Sequence, residues 1–161
     1  MGLARNKKVY TYEEAARMIA DFCAYQERCH SEVRKRLFEY GMNRSEVDEL
    51  LVELITGNFV NEERYARAFA RGKFLHKRWG RNKIRRELKG KGVSEANIEI
   101  GLQEIKAELY HQTLQDLFER KASSLKEKNS FIRGRKIADH LIRKGYESHL
   151  VWDLVRTGNS D

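Results

Sequence analysis

Between Arg64 and Lys91, inclusive, stand twelve basic side chains and a single carboxylate, Glu87. Arg67 and Arg71 are four residues apart and share one face of a helix. Arg81, Arg85 and Lys89 form a second row at the same spacing, with Lys83 and Arg86 flanking it and Arg78 in the joint between the rows. Rows of this kind suit a phosphate backbone, because each phosphate neutralised releases counterions and adds affinity. The planar guanidinium also binds phosphate or carboxylate through two parallel hydrogen bonds. A surface built only for solubility mixes its signs more evenly. Arg67, Arg71, Arg78, Arg81, Arg85, Arg86 and Lys89 are therefore the expected contacts to an anionic partner. Tyr65, Phe69, Phe74 and Trp79 lie among these charges. Aromatic rings of this kind can stack on bases, but Tyr65 and Phe69 stand at helical core spacing, which favours packing.

The remaining reactive residue types form no catalytic constellation. The five histidines (His30, His76, His111, His140 and His149) have no pair at metal-ligand spacing backed by cysteine or carboxylate, and no carboxylate pairs with a histidine or serine in a nucleophile motif. Gly72 and Gly80 lack the spacing and the following Lys-Ser/Thr of a phosphate-binding loop. Cys23 and Cys29, six apart on a helical pattern, cannot easily bond to each other, and two cysteines do not make a zinc site. A binding protein without enzymatic activity, metal or cofactor is expected. A nuclease would need carboxylates that converge in space, which the sequence does not announce.

The elements that position these residues repeat. Gly41, Gly92 and Gly145 each follow an apolar pair eight and four residues earlier: Val33 and Leu37, Ile84 and Leu88, Ile137 and Leu141. Val47, Ile98 and Val151 stand six residues after each glycine, and Leu51, Leu102 and Val155 stand ten after. The offsets of 51 and 53 residues mark an array of roughly fifty-residue units. Apolar residues recur at three and four, and there is no proline, so the units are helical. The expected architecture is all-α: three tandem three-helix repeats, helix-turn-helix-like, in an elongated, curved array. A basic arm at 1–10, expected to be frayed, precedes repeats at 11–57, 58–106 and 107–158, and 159–161 form a tail.

In the first repeat Thr11 and Glu14 predict a capping box, and the helix should run to Tyr25 with Ala15, Met18, Ile19 and Phe22 inward. Ser31 is expected to cap the second helix, and Asn43 with Glu46 the third. In the second repeat Asn61 or a neighbour opens a helix carrying Tyr65, Ala68 and Phe69, and Ser94 caps a helix running through Ile105. The third has a longer polar connection, Ser123 to Ser130. Each glycine is expected in the left-handed conformation after a helix end, with Met42, Val93 or Tyr146 closing the turn.

The formal net charge of +8 points to an anionic partner, nucleic acid first. Its distribution is uneven: 6 basic and 10 acidic residues over 11–57, 13 and 6 over 58–106, 10 and 7 over 107–158. No apolar run approaches membrane length, and no signal-peptide pattern is read at the start. A cytoplasmic monomer with reduced thiols is expected.

One stretch is recognisable. Phe59-Val60-Asn61-Glu62-Glu63-Arg64-Tyr65-Ala66-Arg67-Ala68-Phe69 resembles the signature of the RecX family, regulators of the RecA recombinase. Trp79-Gly80, Ile84, Glu87-Leu88 and Lys91-Gly92-Val93 resemble the family's next segment, and His30-Ser31 with Val33 and Leu37 is similar to its first unit. Arg81 stands where the family often has proline, and Asn61 where aspartate is common. The resemblance covers about residues 12–157 and implies binding in the groove of the RecA–single-stranded-DNA filament. It further implies restraint of filament growth, ATPase, strand exchange and coprotease activity in DNA repair and the SOS response. Charge reversal at Arg81 and Arg85 is expected to weaken that binding without unfolding the protein. The alternative reading is a helical-repeat protein that binds single- or double-stranded DNA directly.

Overall fold

The computed structural model describes residues 8–158, and they form an all-α array. The first repeat is α1 (Tyr12–Tyr25), α2 (His30–Glu39) and α3 (Arg44–Thr56). The second is α4 (Glu62–Lys77), α5 (Arg81–Gly90) and α6 (Glu95–Leu102). The third is α7 (Ala107–Ser124), α8 (Ser130–Arg143) and α9 (Ser148–Gly158). The close helix pairs, among them α2 with α3, α4 with α6 and α8 with α9, all lie inside one repeat. A compact globule of this mass exposes about 8,400 Å², whereas this chain exposes 10688 Å². The excess fits units set in a row.

Local rules account for most helix ends. Thr11, Asn43, Asn61, Ser94 and Asn129 each accept a backbone N–H of the first turn through the side chain. Gly41, Gly92 and Gly145 hold φ of +89°, +82° and +107°, the left-handed region that a side chain would strain. Met42, Val93 and Tyr146 follow them into the core. The second helix departs from expectation. Its N-cap is Cys29, not Ser31, because Glu32 folds back onto the Cys29 N–H and leaves the serine hydroxyl pointing out. That hydroxyl donates to the carbonyl of Lys91 in the second repeat, at 3.0 Å.

Three smaller differences have plain causes. In α4 the inward face is Tyr65, Ala66, Ala70 and Phe74, so Ala68 is only half-buried. The sixth helix ends at Leu102, and Ile105 reaches the core from the turn beyond it. Of the expected frayed arm, residues 1–7 lie outside the described residues, as does the tail 159–161. The rest of the arm is docked: the Tyr10 N–H donates to the Tyr40 carbonyl at 3.0 Å, and the two rings meet edge to face.

The repeats do not share one core. Ala15, Ile19, Val33, Leu37, Val47, Leu50 and Leu54 form a core of the first, joined from the second repeat by Val60, just before α4. Tyr65, Phe74, Ile84, Leu88, Ile98, Tyr110, Leu114, Ile137, Leu141, Tyr146 and Val151 form one continuous core through the second and third. Of the first repeat only Cys29 joins that second cluster. No helix among the described residues is long and apolar enough to cross a membrane.

Candidate nucleic-acid interface

The folded chain brings carboxylates to half of the basic stretch. Arg67 pairs with Glu63 one turn away and with Glu104 from the end of the second repeat, each at 3.0 Å. Arg71 shares Glu104 at 3.4 Å. The hydrogen bond from Arg67 holds the Glu104 carboxyl below the usual carboxylate range. Arg85 pairs with Glu99, Arg64 with Glu27 and Lys91 with Glu32. Neither Glu104 nor Glu99 is a sequence neighbour of its arginine, so the excess read along the chain overstates the charge the surface presents.

Arg81 is committed most deeply. Its guanidinium pairs with Glu147 at 3.0 Å and lies over the Tyr110 ring, 3.9 Å from the centroid. Its backbone N–H donates to the Tyr110 hydroxyl at 3.1 Å, and that hydroxyl donates to Glu147. Arg81 thus fastens the second repeat to the third. Reversing its charge would set two carboxylates together in a half-buried joint, so that variant is not the fold-neutral probe the sequence suggests.

Arg78, Arg86 and Lys89 are in no ion pair among the described residues. Arg86 and Lys89 are exposed on α5. Arg78 ends α4 in the left-handed conformation, φ 56°, and its carbonyl accepts the Tyr146 hydroxyl at 2.9 Å. That turn carries Arg78 to the seam between repeats, beside two lysines. Gly80 N–H donates to the Lys144 carbonyl and Asn82 N–H to the Gly145 carbonyl, each at 2.9 Å. A methyl built on Gly145 would lie 2.4 Å from the Cβ of Lys83. Burial, then the charges of Lys83 and Arg78, push the Lys144 ammonium below its ordinary value. Lys144 stands outside the stretch that the sequence singles out, and its neighbours in space mark it.

The aromatics divide. Tyr65 and Phe74 are buried core residues. Phe69 and Trp79 are half-buried, with Lys73 5.0 Å and Lys83 4.4 Å from the Trp79 ring centroid. Both line a cleft of about 470 Å³ between the first and second repeats, with Glu27, Glu32 and Lys91 on its walls. The arrangement offers cations, aromatic edges and helix ends. It is suited to gripping an anionic surface.

Two matches decide the lineage. Residues 61–102 match the second three-helix domain of RecX and residues 108–155 the third. The chain belongs to the RecX family. "Regulatory protein RecX" of Bacillus cytotoxicus is 30% identical over 131 residues, which are 81% of this chain and 48% of that protein. The Bacillus cereus protein of the same name is 29% identical over the same shares. The chain thus spans about half the length of the curated relatives it matches. A crystal structure of regulatory protein RecX superposes with a TM-score of 0.81 at 23% identity, over 91% of this chain and 71% of that one. RecX from Lactobacillus salivarius gives 0.80 at 20% identity, over 92% and 96%. Coverage that high takes in the first repeat, so the RecX fold extends across all three.

Proposed function

We propose that this RecX-family chain is a non-enzymatic, mainly negative regulator of the RecA recombinase. It lies in the groove of the RecA–single-stranded-DNA filament, bridges successive subunits and limits extension, ATPase, strand exchange and coprotease activity. The observation that carries this reading is a row of three RecX repeats with a cationic surface on the second. A row can touch several subunits at once, and weak contacts then add through high effective concentration. The contact set is Arg67, Arg71, Arg78, Arg81, Arg85, Arg86 and Lys89, in the cytoplasm, with the protein acting as a monomer. Within it Arg78, Arg86 and Lys89 meet the filament directly. Arg67, Arg71 and Arg85 exchange a surface carboxylate for a filament anion, and Arg81 keeps the seam in shape.

The test is recombinase ATP hydrolysis on excess single-stranded DNA with this protein titrated in. Inhibition well below one molecule per recombinase subunit supports the reading. An unchanged rate at equimolar protein refutes it.

A further inference from the structure

The two joints of the array are built to one plan. In each, the start of a repeat's second helix meets the glycine turn of the next repeat. At the first joint the Ser31 hydroxyl in α2 donates to the Lys91 carbonyl at 3.0 Å. At the second the Gly80 and Asn82 amides at the start of α5 donate to the Lys144 and Gly145 carbonyls. The repeat offsets of 51 and 53 make Asn82 the counterpart of Ser31, and Lys144 the counterpart of Lys91. A tyrosine backs each joint from the fourth position of the next helix: Tyr65 in α4 and Tyr110 in α7.

One position breaks the plan. Lys91 is answered by Glu32, 3.2 Å away. The counterpart of Glu32, 51 residues on, is Lys83. The second joint therefore sets Lys83, whose Cβ abuts Gly145, against Lys144, and Arg78, whose carbonyl holds the Tyr146 hydroxyl, brings a third positive charge there. All three side chains are half-buried, and none is in an ion pair among the described residues. Nearby carboxylates are otherwise placed. Glu147 is held by Arg81 and Tyr110, and exposed Glu87, one turn after Lys83 on α5, forms no ion pair with it among the described residues. Like charges gathered in half-buried space repel, and a bound anion removes that repulsion.

We infer that Arg78, Lys83 and Lys144 form an anion site at the seam of the second and third repeats, which takes a backbone phosphate of single-stranded nucleic acid. A nucleic-acid strand fits better than an acidic protein surface because half-buried Trp79 follows Arg78 directly and lies within cation–π range of Lys83. The inference rests on the filament reading, in that the strand is the one the filament carries, and it assigns the DNA contact to residues outside the two arginine rows.

The deciding variant is Lys83→Glu, which rebuilds the first joint's ion pair at the second. It should fold with an unchanged or higher Tm. Its affinity for a fluorescein-labelled oligo(dT), read by anisotropy over a salt series, should fall, with a log–log salt slope shallower by about 0.7 for each phosphate no longer neutralised. Lys144→Gln should weaken binding in the same way and covers the case in which Lys83→Glu misfolds. The inference is overturned if wild-type protein does not bind the oligonucleotide, or if folded variants bind it with wild-type affinity and slope. It is also overturned if they keep DNA binding yet lose recombinase inhibition, which would assign the seam to an acidic protein surface. Wild-type DNA binding without inhibition of the recombinase ATPase would instead refute the filament reading and leave the anion site standing.

Discussion

Replacing glycine by alanine should act with opposite sign at two positions eight residues apart. At Gly80 the added methyl would lie 2.3 Å from the Gly145 carbonyl carbon and 2.4 Å from both the Gly145 oxygen and the Tyr146 nitrogen. These are backbone atoms, so relief requires the start of α5 to move off the turn of the third repeat. The Gly80–Lys144 and Asn82–Gly145 hydrogen bonds go with it, at about 1 kcal/mol each. Overpacking at a tight contact adds about 1–3 kcal/mol. The sum, about 3–5 kcal/mol, lowers Tm by about 6–20 °C for a chain of this length. Gly72 lies inside α4 with nothing within 4 Å of an added methyl. Gly72→Ala only removes freedom from the unfolded chain, and should add about 0.5–1 kcal/mol. Thermal and urea unfolding followed by circular dichroism separate the two. A Gly80→Ala protein within about 0.5 kcal/mol of wild type, or a Gly72→Ala protein as unstable as Gly80→Ala, would refute the seam geometry.

Two further outcomes are expected. Burial pushes the Cys23 thiol from 9.0 up to about 11, so at mildly alkaline pH its thiolate is about a hundredfold scarcer than an exposed one. Iodoacetamide should label Cys23 slowly until denaturant is added; equal rates in native and unfolded protein would contradict its burial. Besides the Ser31–Lys91 hydrogen bond and buried Cys29, the first joint holds the Glu27–Arg64 and Glu32–Lys91 pairs, all four side chains partly exposed, each pair worth about 1 kcal/mol at most. Molar salt should therefore raise hydrogen exchange at the start of α2 by about tenfold and leave the start of α5 unchanged. Equal response at both joints would contradict their different chemistry.

What was legible in the sequence was what neighbours in the chain decide. Gly41, Gly92 and Gly145 announced the turns because a positive φ is a property of one residue and its flanks. Asn43 with Glu46 announced a cap for the same reason. Even there, Ser31 misled, because Glu32 reached the Cys29 amide and freed the serine for a bond 60 residues away. The candidate contacts were legible as residue types but not as available charges. Glu104 lies 37 residues from Arg67 and Glu147 lies 66 from Arg81, and only the folded array sets each pair in contact. Lys144 closes a second basic stretch, 133–144, with five basic residues and one acid, which the denser count over 64–91 overshadows; the repeat register, which aligns Lys144 with Lys91, was the further signal that could have found it.

The same placement rule with different chemistry at its two uses has a mechanical consequence. At the second joint a methyl on the turn glycine would strike Lys83, and two buried tyrosines, Tyr110 and Tyr146, stack 5.1 Å apart beneath it. Motion there must break an apolar core. At the first joint a methyl on Gly92 would meet nothing within 4 Å, an open cleft adjoins it, and Glu27 Oε2 is buried without a hydrogen-bond partner. Motion there breaks half-buried ion pairs and the Ser31–Lys91 hydrogen bond, draws Cys29 out of the second cluster, and relieves an unsatisfied oxygen. The second and third repeats thus present their cations at fixed spacing, and the first is held by one buried cysteine and by polar contacts that salt or a charged partner can weaken. For a protein that lies along a polymer of repeating subunits this division is useful. The rigid pair sets the register, and the first repeat can settle on the next subunit without forcing both contacts to match one geometry.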